Sequence, residues 1–567
     1  MSSNNQIRRM WVIAIAMSFV VMIVVIRLFS FQVLNREEYT AGITEEEIVV
    51  EKPKRGVIYD RNGAVLAVDR MEYRVGLSPS LLTNPEDLAN SLAPILQMPR
   101  YEILNLIESG QRYVVLAGRV SSEVADEIRE VQYGNQVQLE EIPRRFYPQE
   151  ELMCHVLGFV NFEGEGSAGV EGYYQNQLAG EAASTRRPIS PLREPKITIT
   201  REGADLVLTI DRTVQYIVEK HLKEAMVDHG AVSGSILVMD PRTGALLAMA
   251  AEPCYSANAF YSVDSELFYN PIVSAVHEPG SVMKLITVAA ALDSGVANPQ
   301  STYQDNGVVY IGGIPHVNWD RAAHGTVDMT TLLSRSLNVG AATIATWMGP
   351  TVFYDYLQRF GFGKPTNVDL YSEEPGLMPL PGSPLWHESF IGTNAYGQGL
   401  AITPLQMIAS VSALANKGYL MQPFVVQEIH DENGVQRHEP YPYSQPIKPE
   451  TAQVLTAMAI TAVNQEVPEA RVNGYTIAGK TGTAQIAEPF GYHPTDVIGS
   501  FIGWLPAESP EIIVFVKLDR PKSAPWGSMT AAPVFAKLVK ELVVLLDIPP
   551  DEIRLQADIV AARNGNE

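Results

Sequence analysis

The sequence predicts an α+β protein with one N-terminal transmembrane helix, an irregular α+β module and a second module built on one antiparallel sheet. Three observations support this prediction. A long, almost uncharged segment opens the chain, strand-like apolar runs occur near residue 235 and again near residue 500, and a mostly helical stretch lies between them. Because early and late strands must meet in one sheet, the second module cannot be divided between them.

The N-terminal segment is predicted to anchor the chain in a membrane. Residues 11–34 contain a single charge, Arg27, and are long enough to span a bilayer as a helix. A cleavable signal peptide is the alternative, but the small-residue triplet at 14–16 comes too early in the apolar run for a cleavage site. Two arginines precede the segment, so the positive-inside rule leaves residues 1–10 in the cytoplasm and the chain after about residue 36 outside it.

Composition excludes several functions. The formal net charge of −22 would repel a nucleic acid, and no basic stripe offsets it. The two cysteines, Cys154 and Cys254, cannot make a zinc site alone, and no histidine pair lies at ligand spacing near either. We therefore expect no metal and no cofactor. Two buried free thiols are favoured over a disulfide, which would require that the chain is exported and that the cysteines meet.

The first module, residues 40–200, has no evident catalytic cluster. Residues 51–70 alternate around an Asp-Arg-Asn-Gly turn and predict a hairpin. Residues 80–135 predict helices with breaks, and a glycine-rich segment follows at 163–174.

The second module is assigned to residues 205–548. It begins with a strand and with a helix that Asp211 caps. Its sheet is predicted from five apolar runs, at residues 233–240, 245–251, 475–485, 497–506 and 511–521. Residues 281–470 are mostly helical, a helix at 529–548 closes the module, and residues 549–567 are expected to form a C-terminal tail.

One short motif indicates nucleophilic chemistry. A Pro-Gly break places Ser281 at the start of an apolar helix and Lys284 one turn later, so the two side chains can touch. A lysine in apolar surroundings loses hydration, and its pKa falls from about 10.4 toward neutrality, which makes it a usable base. The alternative is that Ser281 only caps the helix and Lys284 lies on the surface.

A second motif contains Ser336 and Asn338. In an extended or loop segment, residues two apart project to the same side, where a hydroxyl can relay a proton and an amide can hold a peptide. The alternative is a loop whose polar side chains satisfy its own backbone.

A third motif lies on a predicted strand and comprises Lys480, Thr481, Gly482 and Thr483. Glycine weakens a strand unless another group lies close against it. An edge strand with a cation and a hydroxyl can bind an extended peptide and its terminal carboxylate. A glycine-rich hairpin is the alternative.

In the order Ser-x-x-Lys, Ser-x-Asn and Lys-Thr-Gly, the three motifs resemble those of serine β-lactamases and penicillin-binding proteins. The middle motif reads Ser-Leu-Asn instead of Ser-Asp-Asn, so only its variable position differs. Further segments, among them RGVIYDRNGAVLA, VMDPRTGALLAMA and AYGQGLAITPLQM, are similar to class B penicillin-binding proteins from the anchor to about residue 545. The resemblance implies a single-pass peptidoglycan D,D-transpeptidase, with a dimerisation-type pedestal and a penicillin-binding transpeptidase domain that includes an all-helical subdomain.

The resemblance also implies roles for individual residues. It assigns catalysis to four of them: Ser281 as nucleophile, Lys284 as its base, Ser336 as proton relay and Asn338 as holder of the peptide amide. It assigns binding of the substrate's terminal carboxylate to the strand motif: Lys480, Thr481, Gly482 and Thr483. The N–H groups of Ser281 and Thr483 would form the oxyanion hole.

The partners that the resemblance implies are peptidoglycan stem peptides, β-lactams, the cytoplasmic membrane, other division proteins and a multi-pass glycosyltransferase of the shape, elongation, division and sporulation family. Glu278 resembles division-type more than elongation-type members. A catalytically weak scaffold or β-lactam sensor that activates a partner glycosyltransferase is the alternative function. A β-lactamase would be shorter and lack anchor and pedestal, and a class A protein would need a glycosyltransferase domain for which residues 40–200 are too short.

Overall fold

The computed structural model describes residues 3–30, 46–51, 53–131, 133–181, 183–188, 201–488 and 491–556. The chain forms two compact units. One combines residues 1–54 with residues 180–203, and the other combines residues 55–179 with residues 204–567.

The first unit contains the predicted anchor. Helix α1 (Ser3–Phe29) is apolar and long enough to span a membrane over Ile7–Phe29, and none of that span is buried by protein. Residues 31–34 of the predicted anchor lie outside the described residues. In the same unit, strand β1 (Glu46–Glu51) pairs antiparallel with β8 (Ala183–Pro188).

The second unit holds the other described strands and helices. Its strands are β2 (Ile58–Tyr59), β3 (Val65–Leu77), β4 (Val114–Val120), β5 (Val137–Phe146), β6 (Phe159–Val160), β7 (Gly166–Ser167), β9 (Asp205–Leu208), β10 (Ser233–Met239), β11 (Leu246–Glu252), β12 (Thr302–Asp305), β13 (Val308–Ile311), β14 (Ile314–Val317), β15 (Gly325–Asp328), β16 (Leu420–Met421), β17 (Val426–Asp431), β18 (Gly434–Arg437), β19 (Pro442–Ser444), β20 (Ala478–Glu488), β21 (Gly491–Leu505) and β22 (Ile512–Asp519). Its helices are α2 (Pro85–Leu96), α3 (Arg100–Ile107), α4 (Ser122–Glu130), α5 (Cys154–Leu157), α6 (Gly169–Tyr173), α7 (Gln175–Ala179), α8 (Arg212–His229), α9 (Pro271–Ser274), α10 (Met283–Asp293), α11 (Met329–Arg335), α12 (Asn338–Arg359), α13 (Phe390–Ala395), α14 (Pro404–Ala415), α15 (Pro449–Glu466) and α16 (Ala531–Leu545).

The predicted five-stranded antiparallel sheet is confirmed, with the strand order β11–β10–β22–β21–β20. Alternate residues of a strand point to opposite faces, and both faces are covered. Ile236 and Val238 of β10 pack in one core cluster with α8 and α16. Leu237 and Met239 pack in another with α10 and α14. The second half of the strand, residues 236–239, is therefore apolar at every position.

The caps and turns that the sequence predicted are also present. Asp211 caps α8, because its Oδ1 accepts the N–H groups of Thr213 and Val214 at 2.8 and 3.1 Å. The predicted hairpin forms where β2 and β3 pair across residues 60–64. Helices dominate the stretch after residue 281, but it is not entirely helical. Two antiparallel ribbons, β12 with β15 and β13 with β14, stand between α10 and α11.

A second sheet joins residues of the first module to the catalytic module. Its order is β18–β17–β9–β2–β3–β4, and β5 also pairs with β3. The junction is the parallel pair β2–β9. Gly56 is required there, since a Cβ at this position would lie 1.8 Å from the carbonyl oxygen of Ala204.

The expectation of two free thiols is wrong. Cys154 and Cys254 form a disulfide, with their Cα atoms 6.2 Å apart. The first begins α5 and the second follows β11, so the bond links the first module to the edge strand of the catalytic sheet. Only the tertiary fold brings two cysteines that are 100 residues apart within bonding range.

The chain stays packed on the domain beyond residue 548. Residues 551–556, which belong to the expected C-terminal tail, are helical. The Asp551 carboxylate accepts the N–H of Thr476 at 2.6 Å. Residues 557–567 lie outside the described residues.

A buried ion cluster holds the first module together. The Glu171 carboxylate is fully buried and accepts hydrogen bonds from Arg55 Nη2 and from Arg145 Nε, each at 2.6 Å. Arg145 also pairs with Asp69 at 3.2 Å. Burial alone would raise the pKa of Glu171, but the two guanidinium groups outweigh it and lower that pKa.

We expect Glu171→Gln to lower the free energy of unfolding by roughly 3 to 5 kcal/mol, because it removes the carboxylate that two buried guanidinium groups share and leaves only Arg145 with another acidic partner, Asp69. Denaturant unfolding of the full chain in detergent measures this. The control is Glu140→Gln, whose partner Arg74 and whose own side chain are 43% and 56% exposed, so that loss should be under about 1 kcal/mol. Equal losses in both variants would contradict the role of the buried cluster.

Candidate active site

Ser281 lies in a tight turn that leads into α10. Residues Gly280–Val282 form one 3₁₀ turn, and the α-helix starts at Met283. No side chain caps either helical start, so the simple capping role for Ser281 is wrong. Gly280 has φ +58°, and its N–H donates to the carbonyl of Gly397 at 3.0 Å.

Lys284 lies directly beneath Ser281. Its side chain is fully buried, and its Nζ lies 3.0 Å from the Oγ of Ser281. The same nitrogen is 3.1 Å from Ser336 Oγ, 2.6 Å from the Ser336 carbonyl oxygen and 2.7 Å from Asn338 Oδ1. Burial, and then the nearby charge of Lys480, hold the pKa of Lys284 well below its usual value. The surface-lysine alternative is therefore wrong.

A turn between two helices supplies the Ser-x-Asn pair. Helix α11 ends at Ser336, which has the left-handed φ of +59° and ψ of +45°. Leu337 is extended, and α12 begins at Asn338. The Asn338 amide donates through Nδ2 to the carbonyl of Val317 at 3.1 Å, which leaves its oxygen directed at Lys284. Both side chains thus converge on one nitrogen.

The third motif lies on β20, at the edge of the five-stranded sheet, as predicted. Thr481 and Thr483 line the groove beside Ser281. Lys480 is buried beneath them, with its Nζ 3.2 Å from the carbonyl oxygen of Thr481. Burial lowers the pKa of Lys480 to about 7, against the opposing charge of Glu466.

Gly482 lets this strand lie close to the nucleophile turn. A Cβ on Gly482 would lie 2.3 Å from Ser500 Oγ and 2.9 Å from Val282 Cγ2. On the other side of the turn, a Cβ on Gly397 would lie 2.1 Å from the carbonyl oxygen of Gly280. Ser281 is therefore held between two backbones that approach it without side chains.

The groove above Ser281 has a volume of about 1000 Å³. It is lined by the predicted residues Ser281, Ser336, Asn338, Thr481 and Thr483. It is also lined by residues that the sequence analysis missed, including Trp319, Asp320, Arg321, His324, Arg335, Glu466 and Trp526. Residues 319–324 form the loop between β14 and β15, whose polar and aromatic character before the Ser-x-Asn motif was a weak signal. Glu466 and Trp526 gave no signal.

We expect Gly397→Ala to displace the turn that carries Ser281. Gly397 has φ +86°, and the added Cβ would meet the backbone of Gly280. The matched control is Gly295→Ala, where φ is +75° and nothing lies within 4 Å, so only backbone strain of about 1 kcal/mol remains. Thermal unfolding and the reactivity of Ser281 toward a fluorescent penicillin measure the two effects. Equal behaviour of both variants would refute the displacement.

Comparison with known proteins identifies two family models along the chain. The penicillin binding protein transpeptidase domain matches residues 234–540, and the penicillin-binding protein dimerisation domain matches residues 50–205. Stage V sporulation protein D of Bacillus subtilis is 30% identical over 522 residues, which are 89% of this chain and 80% of that protein.

Two further proteins are similar over most of their length. Peptidoglycan D,D-transpeptidase FtsI of Escherichia coli is 29% identical over 88% of this chain and 85% of its own. Penicillin binding protein 3 of Mycobacterium tuberculosis, solved in complex with aztreonam, has a TM-score of 0.70 and 26% identity, with coverage of 88% of this chain and 98% of that structure. Since the transpeptidase model alone spans more than half of the chain, the protein belongs to the penicillin-binding protein transpeptidase family.

Proposed function

We propose that the protein is a membrane-anchored peptidoglycan D,D-transpeptidase that cross-links stem peptides through an acyl-enzyme on Ser281 during septal wall synthesis. One observation carries the proposal: the fully buried Nζ of Lys284 lies 3.0 Å from the Ser281 hydroxyl. Burial lowers the pKa of this amine and so favours its neutral form. A neutral amine can accept the hydroxyl proton, and the oxygen next to it then becomes a nucleophile.

Acylation begins when Lys284 takes the hydroxyl proton and Ser281 Oγ attacks the carbonyl of the penultimate D-Ala. The C–O ester bond forms and the C–N peptide bond breaks. The terminal D-Ala leaves with a proton that returns from Lys284 through Ser336, whose Oγ is 3.1 Å from the lysine. The N–H groups of Ser281 and Thr483 stabilise the oxyanion, and each such donor contributes about 3 to 4 kcal/mol in comparable acyl transfers.

The edge strand β20 binds the donor peptide. An unpaired strand edge accepts an extended peptide through main-chain hydrogen bonds, and Asn338 holds the amide on the opposite wall. The terminal carboxylate is bound by the hydroxyls of Thr481 and Thr483 and by the charge of Lys480. Gly482 keeps the strand close enough to Ser281 for these contacts.

Transfer to a second stem peptide completes the cross-link. The acceptor amine attacks the ester carbonyl, an amide C–N bond forms and the C–O bond to Ser281 breaks. The amine proton passes through Ser336 and Lys284 back to Ser281 Oγ. The free energy comes from the peptide bond that was broken, so no nucleotide is consumed. A β-lactam enters the same first step, and its ring carbonyl stays attached to Ser281.

The anchor and the first module set the cellular context. The basic residues before the span support a cytoplasmic N-terminus and an extracytoplasmic catalytic unit. Residues of the first module contact a multi-pass glycosyltransferase of the shape, elongation, division and sporulation family and other division proteins. The similarity to FtsI proteins supports the septal assignment.

Labelling with fluorescent penicillin tests the proposal. We expect a stable adduct that mass spectrometry maps to Ser281, and none in Ser281→Ala. Lys284→Gln should slow acylation by roughly 10² to 10⁴-fold, the usual contribution of a general base. Lys540→Gln, a change at an exposed lysine on α16, is the control. A folded wild-type protein without an adduct would refute the transpeptidase and favour the scaffold.

The two lysines also predict a pH profile. The depressed pKa of Lys284 means that acylation rises with pH as this amine loses its proton. The pKa of Lys480, about 7, means that the free enzyme loses its carboxylate-binding charge above neutrality. The second-order acylation constant should therefore fall on the alkaline side, since kcat/KM reports the free enzyme. Lys480→Arg keeps its charge to higher pH, and an unchanged alkaline limb in that variant would contradict the assignment.

A further inference from the structure

The substrate groove carries two positive charges that the proposed reaction does not use. Arg321 and Arg335 both line it. Within the described residues neither guanidinium has an ion-pair partner or a hydrogen bond. Of the two acidic residues that line the groove, Asp320 is hydrogen-bonded to His324 at 3.0 Å and Glu466 interacts with the charge of Lys480. In a chain with a net charge of −22, two unpaired cations in a groove favour an anionic ligand.

Arg321 is presented to the groove in an unusual conformation. Its φ is +58°, in the left-handed region that favours glycine. A side chain in that region persists only where the surroundings hold it, and such positions cluster at ligand sites. A tight turn stabilises the left-handed backbone here, since the Arg321 N–H donates to the carbonyl of Asn318 at 3.0 Å.

The turn itself is fixed to the catalytic residues. The buried Asn318 amide donates to both oxygens of the buried Asp305 at 3.0 Å, and its own oxygen accepts the N–H of Val339 at 3.0 Å. Val339 follows Asn338, so these hydrogen bonds connect the loop to the Ser-x-Asn motif. The loop that carries Arg321 is therefore held in this conformation without a ligand.

The backbone of Arg335 is hydrogen-bonded to the loop that carries Arg321. Trp319, two residues before Arg321, donates its Nε1 to the carbonyl of Arg335 at 3.1 Å. The Trp319 ring also makes an edge-to-face contact with Trp526, with centroids 5.4 Å apart. Trp526 belongs to the loop whose Gly527 N–H donates to Thr483 Oγ1 at 3.1 Å. The loop of Arg321 and the backbone of Arg335 are therefore connected, through Trp319 and Trp526, to the wall of the groove that carries Thr483.

We propose that Arg321, assisted by Arg335, is a specificity-determining residue that binds a carboxylate of the stem peptide other than the C-terminal one. This inference rests on the proposed function. Guanidinium groups pair with carboxylates through two parallel hydrogen bonds. The enzyme would thus select stems whose internal carboxylates, on the diamino acid or the D-glutamate, are free rather than amidated. The carboxylate belongs either to the acyl donor or to the acceptor.

The test uses the full chain in detergent with synthetic diaminopimelate stem peptides, in free-carboxylate and amidated forms. Arg321→Gly removes the guanidinium and suits the left-handed backbone. The matched control is Lys417→Gly, which removes an exposed cation at φ +52° outside the groove. Both variants should melt no lower than wild type, so a loss in peptide use cannot come from misfolding.

Wild type should use the free-carboxylate peptide roughly tenfold or more better than the amidated one, as hydrogen bonds to charged groups allow. Arg321→Gly should lose that preference, and Lys417→Gly should keep it. If the loss appears in acyl-enzyme formation, the carboxylate belongs to the donor; if it appears only in transfer to an added acceptor, it belongs to the acceptor. An Arg321→Gly enzyme with the wild-type preference overturns the inference.

Penicillin acylation of Ser281 separates this result from the proposed function. It is measured in the wild type and in Lys417→Gly, which changes a residue outside the groove, and should be equal in the two. Normal penicillin acylation without any carboxylate preference overturns the inference alone. A wild type that penicillin does not acylate overturns the proposed function and the inference with it.

Discussion

The burial of one lysine amine is the constraint on which the rest of the site depends. Lys284 is removed from water, and an ammonium left there without partners would be strongly unfavourable. Oxygens from the nucleophile turn and from the junction of α11 and α12 surround it. A second lysine, Lys480, lies close enough to lower its pKa further. The protein can bring these elements together only because glycines lie where the backbones meet. The close packing of these backbones therefore also produces the burial that lowers the pKa of Lys284.

The pattern of apolar residues along the sequence predicted the long strands and helices of the fold. The apolar runs of β10 and β22 predicted two strands of the sheet, because strands that are covered on both faces are mostly apolar. Asp211 predicted the start of a helix, because its carboxylate can cap the first N–H groups. The two ribbons, β12 with β15 and β13 with β14, were not predicted, since a strand of four residues is too short to show a clear apolar pattern. The disulfide of Cys154 with Cys254 escaped as well, because no local feature of either cysteine depends on the other.

The site was predictable where it lies within short motifs and not elsewhere. Three-residue spacing put Lys284 next to Ser281 through helix geometry alone. The convergence of Ser336 on the same nitrogen was expected from an extended segment, but the structure achieves it with a left-handed residue between two helices. Arg321 and Trp526 come from separate loops, so their meeting in the groove is a property of the tertiary fold and not of any window of sequence.

The order of the catalytic sheet has a consequence for biosynthesis. Strand β22 (Ile512–Asp519) pairs with both β10 and β21, so the last strand synthesised joins the first pair to the substrate-binding edge. A chain that ends before β22 contains Ser281 and Lys284 but lacks the strand that pairs with β21 beside the edge strand β20. The groove beside Ser281 is thus complete only when residues 512–519 have been added to the sheet, although they follow the serine late in the sequence.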